Sequence, residues 1–591
     1  MQVVFLLGMK YSSIPLAQTV VAQCKENGIS NIVISPGSRN APLTISFSED
    51  PFFSCYSIVD ERCAAFFALG MAQNSKKPVA VVCTSGSALL NYYPAVTEAY
   101  YSEIPLIVIS ADRPSYKIDV GDGQTIRQDH VFHRHIGYSA NLKQDVSHAT
   151  DRILRYKADW LNNKEVNALQ KEIQNFNNAE LNRALYTAQQ EFLPVHINVP
   201  FEEPLYDFVK EPTVISISAP VHQNKEGTIA LDTFKTIWKN ASKKIVLVGV
   251  NDPDSVEQAL LDRLGTDPSV LVLTETTSNL HHLNFFSSID TLVAPIELSE
   301  NKVELFKALQ PEVLLTFGGL IVSKKIKAFL RQYSPKYHWH VGEKRANDTF
   351  FCLDTHIKLP INTVLRGFYE EDSAQEGFYF PYWNDIKQHY RQKREDYLQQ
   401  VPFSDFTVFN TVLGSIPDAY QLQLANSSTI RYAQLFNIKE SVQVFCNRGT
   451  SGIDGSTSTA IGASIHNKNP TLLITGDLSF FYDSNALWNN YLRKDFRIIL
   501  VNNSGGGIFR ILPGKEDSEN FERFFETKHK LQATELCKMF GFDYGNAYDE
   551  GSLEQGLLAF FEVSEIPRLL EIQTPRLLNN KILMDYFHFI S

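Results

Sequence analysis

The sequence has few cysteines, and their spacing suits neither disulfide pairing nor metal binding. Seven cysteines occur in 591 residues without a C-x-x-C pair, which argues against a disulfide scaffold or a zinc module. Such usage is typical of a reducing compartment, so we expect a cytoplasmic protein. Long apolar runs are also missing, since no stretch reaches the roughly 18–20 residues of a membrane-spanning helix. The opening MQVVFLLGMK lacks the basic start and cleavage site of a signal peptide.

Positive charge is in deficit. Lys and Arg number 55 against 66 Asp and Glu, a net charge of −11, which is unfavourable for general binding to nucleic acid or to anionic membranes. A Walker A sequence and a G-x-G-x-x-G after an apolar run are both missing, which argues against nucleoside-triphosphate and dinucleotide sites. His130, His133 and His135 lie close together, but no cysteine or carboxylate is suitably spaced to complete a metal site. We interpret them as structural histidines.

Short apolar runs alternate with helical segments along the whole chain. The runs are NIVIS, CYSIV, PVAVVC, IPLIVIS, KKIVLVGV, VLVLTET, EVLLTFGG, KYHWHVG, VQVFC, TLLITG, RIILVNN and LLEIQT. Apolar runs without alternation are typical of parallel strands covered on both faces, and their repetition indicates doubly wound sheets. We predict an α/β protein of three doubly wound, mainly parallel domains over residues 1–210, 226–370 and 395–591. A linker is expected near 211–226 and a polar helical connection within 371–400.

The strongest local motif lies in the third domain. Gly476-Asp477-Leu478 ends the run TLLIT, and Asn503 follows the next run within VNNSGGG. Ligands of open parallel sheets bind at the carboxyl ends of strands, so a carboxylate and an amide would meet at one crevice. Oxygen ligands beside a glycine-rich turn suit Mg²⁺ on a diphosphate. A helix N-cap at Asp477 and a turn residue at Asn503 are the alternative.

Two further motifs stand between a predicted strand and a predicted helix. Asp60-Glu61-Arg62 opens the helix after CYSIV, where a glutamate alone is commonly just a favourable first-turn charge. The second motif is the stretch NRGTSGIDG, residues 447–455. Together with the glycine–aspartate motif, the two indicate a site built at strand ends of both outer domains.

These motifs resemble those of thiamine-diphosphate enzymes, and more narrowly the 2-succinyl-5-enolpyruvyl-6-hydroxy-3-cyclohexene-1-carboxylate synthase family of menaquinone biosynthesis. The similar segments are SPGSRNAPL, DERCAAFFALGMA, TSGSALLNYYPAV, ADRPSYKIDVGDGQTIRQ, NRGTSGIDGSTSTAIG, GDLSFFYDSNAL and VNNSGGGIF. They run in order across both outer domains, while the middle domain is similar only loosely. The resemblance implies the thiamine-diphosphate-binding fold in both outer domains, pyrimidine binding in the first and diphosphate and metal binding in the third.

The resemblance also implies the cofactor-binding residues. Glu61 would hydrogen-bond N1′ of the aminopyrimidine in a partly desolvated cleft, which would raise the pKa of its carboxyl group. Ile453 would hold the cofactor bent. The other implied cofactor contacts are Gly476, Asp477, Leu478, Asn503 and Gly505, of which Asp477, Asn503 and the Gly505 carbonyl would bind Mg²⁺ or Mn²⁺. In the family, Glu61 and the metal motif meet across a subunit interface, which implies a homodimer or a homotetramer.

The implied reaction is decarboxylation of 2-oxoglutarate and conjugate addition of the remaining four-carbon unit to isochorismate, which makes the protein a transferase. Both substrates are dianions, which arginine binds bidentately. The family pattern places Ser427, Arg431 and Arg448 on 2-oxoglutarate, and Ser38, Arg39, Arg113 and Gln124 on isochorismate. It adds the basic pair Lys324 and Lys325, and Phe509, for which a buried core position is the alternative. The implied catalytic residues are Glu61, Arg39, Ser427, Arg431 and Arg448.

Two positions depart from the family pattern. Lysine stands at 325 where arginine is common, and glycine at 123 where asparagine is expected. Two alternative functions remain. A pyruvate-using decarboxylase or acetohydroxyacid-synthase type would not need these arginines and would lack SPGSR and NRG-x-SGIDG. A non-catalytic homologue would have lost Glu61 or Asp477, and both are present.

Overall fold

A computed structural model describes residues 10–161, 164–214, 230–370, 377–511 and 518–591. The strands before residue 215 are β1 (Tyr11–Ser12), β2 (Asn31–Ile34), β3 (Ser54–Ser57), β4 (Val79–Cys83), β5 (Leu106–Asp112), β6 (Tyr138–Asn141), β7 (Val195–Pro200) and β8 (Phe208–Val209). The α-helices of this part are α1 (Pro15–Glu26), α2 (Ala41–Glu49), α3 (Glu61–Ser75), α4 (Ser87–Asn91), α5 (Tyr93–Ser102), α6 (Thr150–Tyr156) and α7 (Val166–Tyr186).

The first sheet is parallel throughout, with strand order β3-β2-β4-β5-β7-β6. Every residue of β4 and of β5 is buried, as expected for strands covered on both faces. Because β3 and β2 lie on one side of β4 and β5 on the other, the chain reverses direction across the sheet between β2 and β4. Ligands of such sheets bind outside the strand ends where this reversal occurs.

A second parallel sheet lies in the middle of the chain, with order β10-β9-β11-β12-β13. Its strands are β9 (Lys244–Val248), β10 (Val270–Leu273), β11 (Val313–Phe317), β12 (Tyr337–Val341) and β13 (Thr355–Ile357). The accompanying helices are α8 (Asp232–Asn240), α9 (Gln258–Thr266), α10 (Ile289–Leu298), α11 (Lys302–Leu309), α12 (Lys324–Gln332) and α13 (Ile361–Phe368).

The third sheet is also parallel, with order β15-β14-β16-β17-β19-β18. Its strands are β14 (Gln421–Leu424), β15 (Gln443–Cys446), β16 (Thr471–Gly476), β17 (Arg497–Asn502), β18 (Asp543–Ala547) and β19 (Arg568–Gln573). The helices are α14 (Tyr379–Leu398), α15 (Asp405–Ser415), α16 (Ser428–Ala433), α17 (Ser456–Ser464), α18 (Asp477–Tyr482), α19 (Glu519–Phe524), α20 (Thr534–Phe540), α21 (Glu550–Phe560) and α22 (Asn579–Ile590).

The predicted fold class, α/β with three mainly parallel sheets, is confirmed. The apolar runs named above coincide with strands, whereas β14 escapes an apolar-run search because its sequence is QLQL, although Gln421 and Gln423 are buried with the leucines. Most of the predicted 211–226 linker, and residues 371–376 of the predicted connection, lie outside the described residues. Every helix in the described ranges is too short or too polar to span a bilayer.

The described residues fall into two compact units. One contains residues up to 214 together with 449–468 and 482–493, and the other contains 230–448, 469–481 and 494–591. The first unit holds the first sheet, and it includes α17, which packs along α3. The second unit holds the middle and third sheets, each with buried aliphatic side chains on both faces.

Candidate active site

In the first unit, the predicted site residues follow neighbouring parallel strands. Arg39 lies after β2, Glu61 after β3 and Arg113 after β5, in a sheet where β3, β2, β4 and β5 are adjacent. Their side chains therefore start from the carboxyl ends of strands in one sheet. Doubly wound sheets bind ligands at these strand ends.

Glu61 is the first residue of α3 and is partly exposed. Asp60 caps the helix by accepting a hydrogen bond from Cys63 N at 3.2 Å, and it also accepts one from Asn485 Nδ2 at 2.8 Å. Burial raises the pKa of Tyr92 and of the Cys83 thiol, and the nearby Glu61 charge adds to the rise in both. The Glu61 carboxylate therefore lies within electrostatic range of Cys83 at the end of β4, and Asp60 caps the helix that Glu61 begins.

Arg39 and Arg113 converge. Arg39 is buried and donates to Phe201 O at 3.1 Å and to Glu203 Oε1 at 3.0 Å, while Arg113 Nη2 donates to Gly123 O at 3.0 Å. Burial, and after it the Arg113 charge, lower the pKa of Arg39. The Nε atoms of both arginines are buried and have no hydrogen-bond partner among the described residues. Two cations with unused donors suit a dianionic ligand.

Arg113 also lines a cavity of about 940 Å³ in the first unit. Other lining residues include Gln128, Lys143 and Asn198. Gln128 is buried, and its Nε2 donates to Asn198 Oδ1 at 2.8 Å, so the wall beside Arg113 is a fixed polar network.

The loops around these arginines interlock through close backbone approach. A Cβ on Gly37 would lie 2.3 Å from Thr84 Cβ, and Gly86, at φ +88°, would place a Cβ 3.2 Å from Gln124 O. Ser85 Oγ donates to Gln124 O at 2.9 Å. Gln124 and Ser38 are themselves exposed. The SPGS and TSGS motifs thus shape one loop cluster, and glycine is required where the loops touch.

The loop 449–455 is held by a residue that the sequence analysis did not identify. Glu98 is 1% exposed and accepts hydrogen bonds from Gly449 N (2.7 Å), Thr450 N (2.7 Å) and Thr450 Oγ1 (2.9 Å). Ile453, on this loop, has 36% of its surface exposed, so part of its apolar side chain is accessible to a ligand.

A second unpredicted carboxylate anchors α17. Asp483 is buried and accepts from Ser458 N at 2.8 Å and from Ser458 Oγ at 2.9 Å. Burial raises the pKa of Asp483 from 3.8 to about 6. Gly455 is required beside α3, because a Cβ there would lie 2.2 Å from the Phe66 ring.

In the second unit, the predicted metal ligands come together at the ends of β16 and β17. Asp477 is 3% exposed, and its Oδ2 accepts from Gly505 N at 2.9 Å. It also begins α18 and accepts from Leu478 N, directly after it in the chain, at 2.7 Å. Asn503 Oδ1 is buried and has no hydrogen-bond partner in the described structure. A buried acceptor left open beside a carboxylate fits a divalent cation that prefers oxygen ligands.

His529 lies against the same carboxylate and was not predicted. Its Nε2 is 3.2 Å from Asp477 Oδ2, and its Nδ1 accepts from Leu531 N at 3.1 Å. Because Nδ1 is an acceptor, the ring proton is assigned to Nε2, which lies close to Asp477 but does not form a hydrogen bond with it. No group of three or more His, Cys, Asp or Glu side chains suited to a metal occurs in the described ranges. A metal here would therefore depend on amide and backbone oxygens besides Asp477.

Arg431 and Arg448 form a second pair of cations. Arg448 Nη1 donates to Asn426 Oδ1 at 2.7 Å, and Asn426 is fixed in turn by donating to Asn447 O at 2.7 Å. Burial is the main cause that lowers the pKa of Arg431. The charge of Arg448 lowers this pKa further, and the charge of Asp290 raises it. Ser427 adopts φ +69° directly before α16, and such strain in a non-glycine residue is typical of functional sites.

The lysines of α12 are arranged differently from the predicted site pair, Lys324 and Lys325. Lys324 is exposed, and Lys325 is ion-paired with Glu297. Lys327, three positions after Lys324, is partly buried. Burial lowers its pKa, the charges of Arg448 and Arg431 lower it further, and the Glu275 charge raises it. The structure thus places Lys327 near the arginine pair. Lys327 lies outside the adjacent basic pair of the family pattern, and only the rotation of α12 reveals which side it faces.

Glu275 fixes the loop that leads into α12. Its carboxylate accepts from Val322 N and from Ser323 N, both at 2.7 Å. Burial raises the pKa of Glu275 from 4.5 to about 7. Phe509, by comparison, lies on the 3₁₀ turn Gly507–Ile511, is partly exposed, and meets Phe525 edge-on at 6.3 Å.

Comparison with known proteins gives two family matches. Residues 14–136 match the family "Thiamine pyrophosphate enzyme, N-terminal TPP binding domain", and residues 426–572 match the corresponding C-terminal TPP binding domain. Curated proteins named 2-succinyl-5-enolpyruvyl-6-hydroxy-3-cyclohexene-1-carboxylate synthase are similar over nearly the whole chain. The protein of Christiangramia forsetii is 53% identical over 99% of this chain and 100% of its own. Those of Flavobacterium psychrophilum and Flavobacterium johnsoniae are each 50% identical over 98% of this chain and 99% of their own.

Proposed function

The chain belongs to the 2-succinyl-5-enolpyruvyl-6-hydroxy-3-cyclohexene-1-carboxylate synthase family, and we propose that it joins 2-oxoglutarate to isochorismate, with loss of CO2, in menaquinone biosynthesis. It is a thiamine-diphosphate-dependent transferase that forms a C–C bond. The observation that carries the substrate assignment is the partly buried cation pair Arg431 and Arg448. A pair of this kind is suited to a second carboxylate, which 2-oxoglutarate has and pyruvate lacks.

The residues in the second unit fit a Mg²⁺- or Mn²⁺-bound diphosphate. Asp477, Asn503 and the Gly505 carbonyl would hold the cation, because Asn503 Oδ1 is a buried acceptor that needs a partner. Gly476 and Leu478 flank the carboxylate at the end of β16 and would contact the diphosphate. When bound, thiamine diphosphate supplies the electron sink for decarboxylation of a 2-oxo acid.

Glu61 would exchange a proton with the pyrimidine of the cofactor. Its place at the start of α3 puts the carboxylate at a strand end rather than within the core. Such a group can share a proton with a ring nitrogen within hydrogen-bond reach. Ile453, exposed on the loop that Glu98 holds, would support the cofactor from below.

The remaining residues would orient the two substrates. Arg431 and Arg448, with Ser427 beside them, would neutralise 2-oxoglutarate. Arg39 and Arg113 would bind the carboxylates of isochorismate through donors that are unused in the structure. Further proposed substrate contacts are Ser38, Gln124, Lys324, Lys325 and Phe509.

We also propose that the enzyme works as a homodimer or a homotetramer with its active sites at subunit interfaces. A second proposal is that the three sheets mark the domains 1–210, 226–370 and 395–591. The family resemblance supports the first proposal, because Glu61 and the metal ligands lie on different domains, and the three parallel sheets support the second.

The test of function is the loss of isochorismate ultraviolet absorbance with purified protein, thiamine diphosphate and Mg²⁺. One cuvette contains 2-oxoglutarate and a parallel one pyruvate. We expect loss only with 2-oxoglutarate and only with cofactor present. Loss with pyruvate would overturn the donor assignment, and no loss in either cuvette with cofactor bound would overturn the acceptor assignment.

A further inference from the structure

We propose that Asp405 is a positioning residue of the metal site: it orients the Asn503 amide so that Oδ1 faces the cation. This inference rests on the proposed metal site and adds a residue to it. Asp405 is the first residue of α15, 2% exposed, and 98 positions before Asn503 in the sequence.

The contact that carries the inference is a single hydrogen bond. Asn503 Nδ2 donates to Asp405 Oδ2 at 3.1 Å. An amide has a donor end and an acceptor end, whereas a carboxylate oxygen offers only lone pairs. The reversed amide would place Oδ1 against the carboxylate, and two acceptors repel. Asp405 therefore leaves Asn503 one orientation, with Oδ1 turned away and without a hydrogen-bond partner in the described structure.

Asp405 is itself held by two hydrogen bonds besides the one from Asn503. Its other oxygen, Oδ1, accepts from Thr574 Oγ1 at 2.5 Å, and its backbone N donates to Asn579 Oδ1 at 2.9 Å. Thr574 N donates to Asn502 O at 3.1 Å, which joins the network to the end of β17 directly before Asn503. At the start of α15, Ser404 N donates to Thr407 Oγ1 at 3.0 Å. These hydrogen bonds thus hold both Asp405 and the end of β17 that directly precedes Asn503.

Such a support affects metal binding more than it affects the fold. Partners that orient a metal ligand typically change metal affinity about 10–100-fold when replaced. In Asp405→Asn the new side chain can present either a donor or an acceptor, so the Asn503 amide can adopt both orientations. Only one of them offers an oxygen to the cation.

The experiment titrates Mn²⁺ into protein saturated with thiamine diphosphate and measures free Mn²⁺ by electron paramagnetic resonance. We expect Asp405→Asn to weaken Mn²⁺ binding at least about tenfold, with an unchanged circular dichroism spectrum. Asp418→Asn is the matched control, because Asp418 is exposed in the same unit and bonds to Ser441 Oγ instead. Wild-type Mn²⁺ affinity in folded Asp405→Asn would overturn the inference.

Two further variants keep the test decisive. Asn503→Ala should lose Mn²⁺ binding if the metal site is correct, and wild-type affinity there would overturn both the site and the inference. Loss in Asn503→Ala without loss in Asp405→Asn would overturn the inference alone. If Asp405→Asn does not fold, Thr574→Val removes one anchor and leaves the carboxylate. Weaker Mn²⁺ binding by that variant supports the inference, and unchanged binding overturns it.

Discussion

The carboxylate of Glu98 should determine the stability of the loop that carries Ile453. Its Oε1 accepts from Ser102 Oγ and Gly449 N, both at 2.7 Å, and its Oε2 accepts from Thr450 N and Thr450 Oγ1. In Glu98→Gln one oxygen becomes an NH2 group. The hydroxyls can turn to accept from it, but each oxygen also serves one backbone N–H. One backbone N–H, in a partly buried bond, is therefore left unpaired whichever way the amide faces.

The expected loss follows from these four bonds. A partly buried N–H without a partner costs about 1 kcal/mol, the lower end of the range for buried groups, and each of the other three bonds loses its charge assistance. We expect about 3 kcal/mol, which for a unit of this size is a fall in Tm of about 6–12 °C. Differential scanning calorimetry of the cofactor-free protein measures it. Hydrogen exchange at Gly449 and Thr450 should accelerate in the same variant.

Glu191→Gln is the control for the loss of charge, since Glu191 is exposed in the same unit. Its stability should stay within about 0.5 kcal/mol of the wild type. A Tm for Glu98→Gln equal to that of Glu191→Gln, with unchanged hydrogen exchange, would refute the anchoring role.

Three other predictions concern substrate, pH and assembly. Arg431→Lys and Arg448→Lys should each raise KM for 2-oxoglutarate about tenfold or more, through loss of the planar fork; initial rates with an unchanged KM would contradict this. Burial raises the pKa of Asp145 from 3.8 to about 6, so the folded state holds this proton more tightly than the unfolded state. Its contribution to stability therefore falls by up to about 3 kcal/mol as pH rises from about 4 to about 6. Urea unfolding of Asp145→Asn should lack this dependence, and an identical pH profile would count against it. Mixing inactive Glu61→Gln with inactive Asp477→Ala should restore activity, because subunit exchange creates one intact site if the two residues come from different chains. If subunit exchange is verified and activity does not return, the result would argue that each site takes both residues from one chain.

The sheets could be predicted from the sequence because fully buried parallel strands read as unbroken apolar runs. β4 and β16 are of this kind. Edge strands such as β6 (YSAN) and β18 (DYGNA) carry mixed sequences that propensity alone does not distinguish from loops. β14 is central, yet its glutamines are buried by tertiary contacts that no local pattern reveals.

The candidate site was predictable where its residues directly follow strands, as Asp477 and Asn503 do. The supporting residues were not predictable, since each contacts a segment far away in sequence. Glu98 bonds to Thr450 across 352 positions, and Asp405 to Asn503 across 98. Lys327 depends on how α12 is rotated, which packing determines. Local motifs thus indicate the candidate ligand-contacting residues, whereas the groups that hold them emerge only from the fold.

Glu61→Gln tests the central claim, that this chain activates thiamine diphosphate through Glu61. The variant should bind the cofactor, shown by titration, and keep the fold, while turnover with 2-oxoglutarate and isochorismate falls at least about 100-fold, the lower end of what a positioned proton-transfer group contributes. Turnover equal to that of the wild type would contradict the claim.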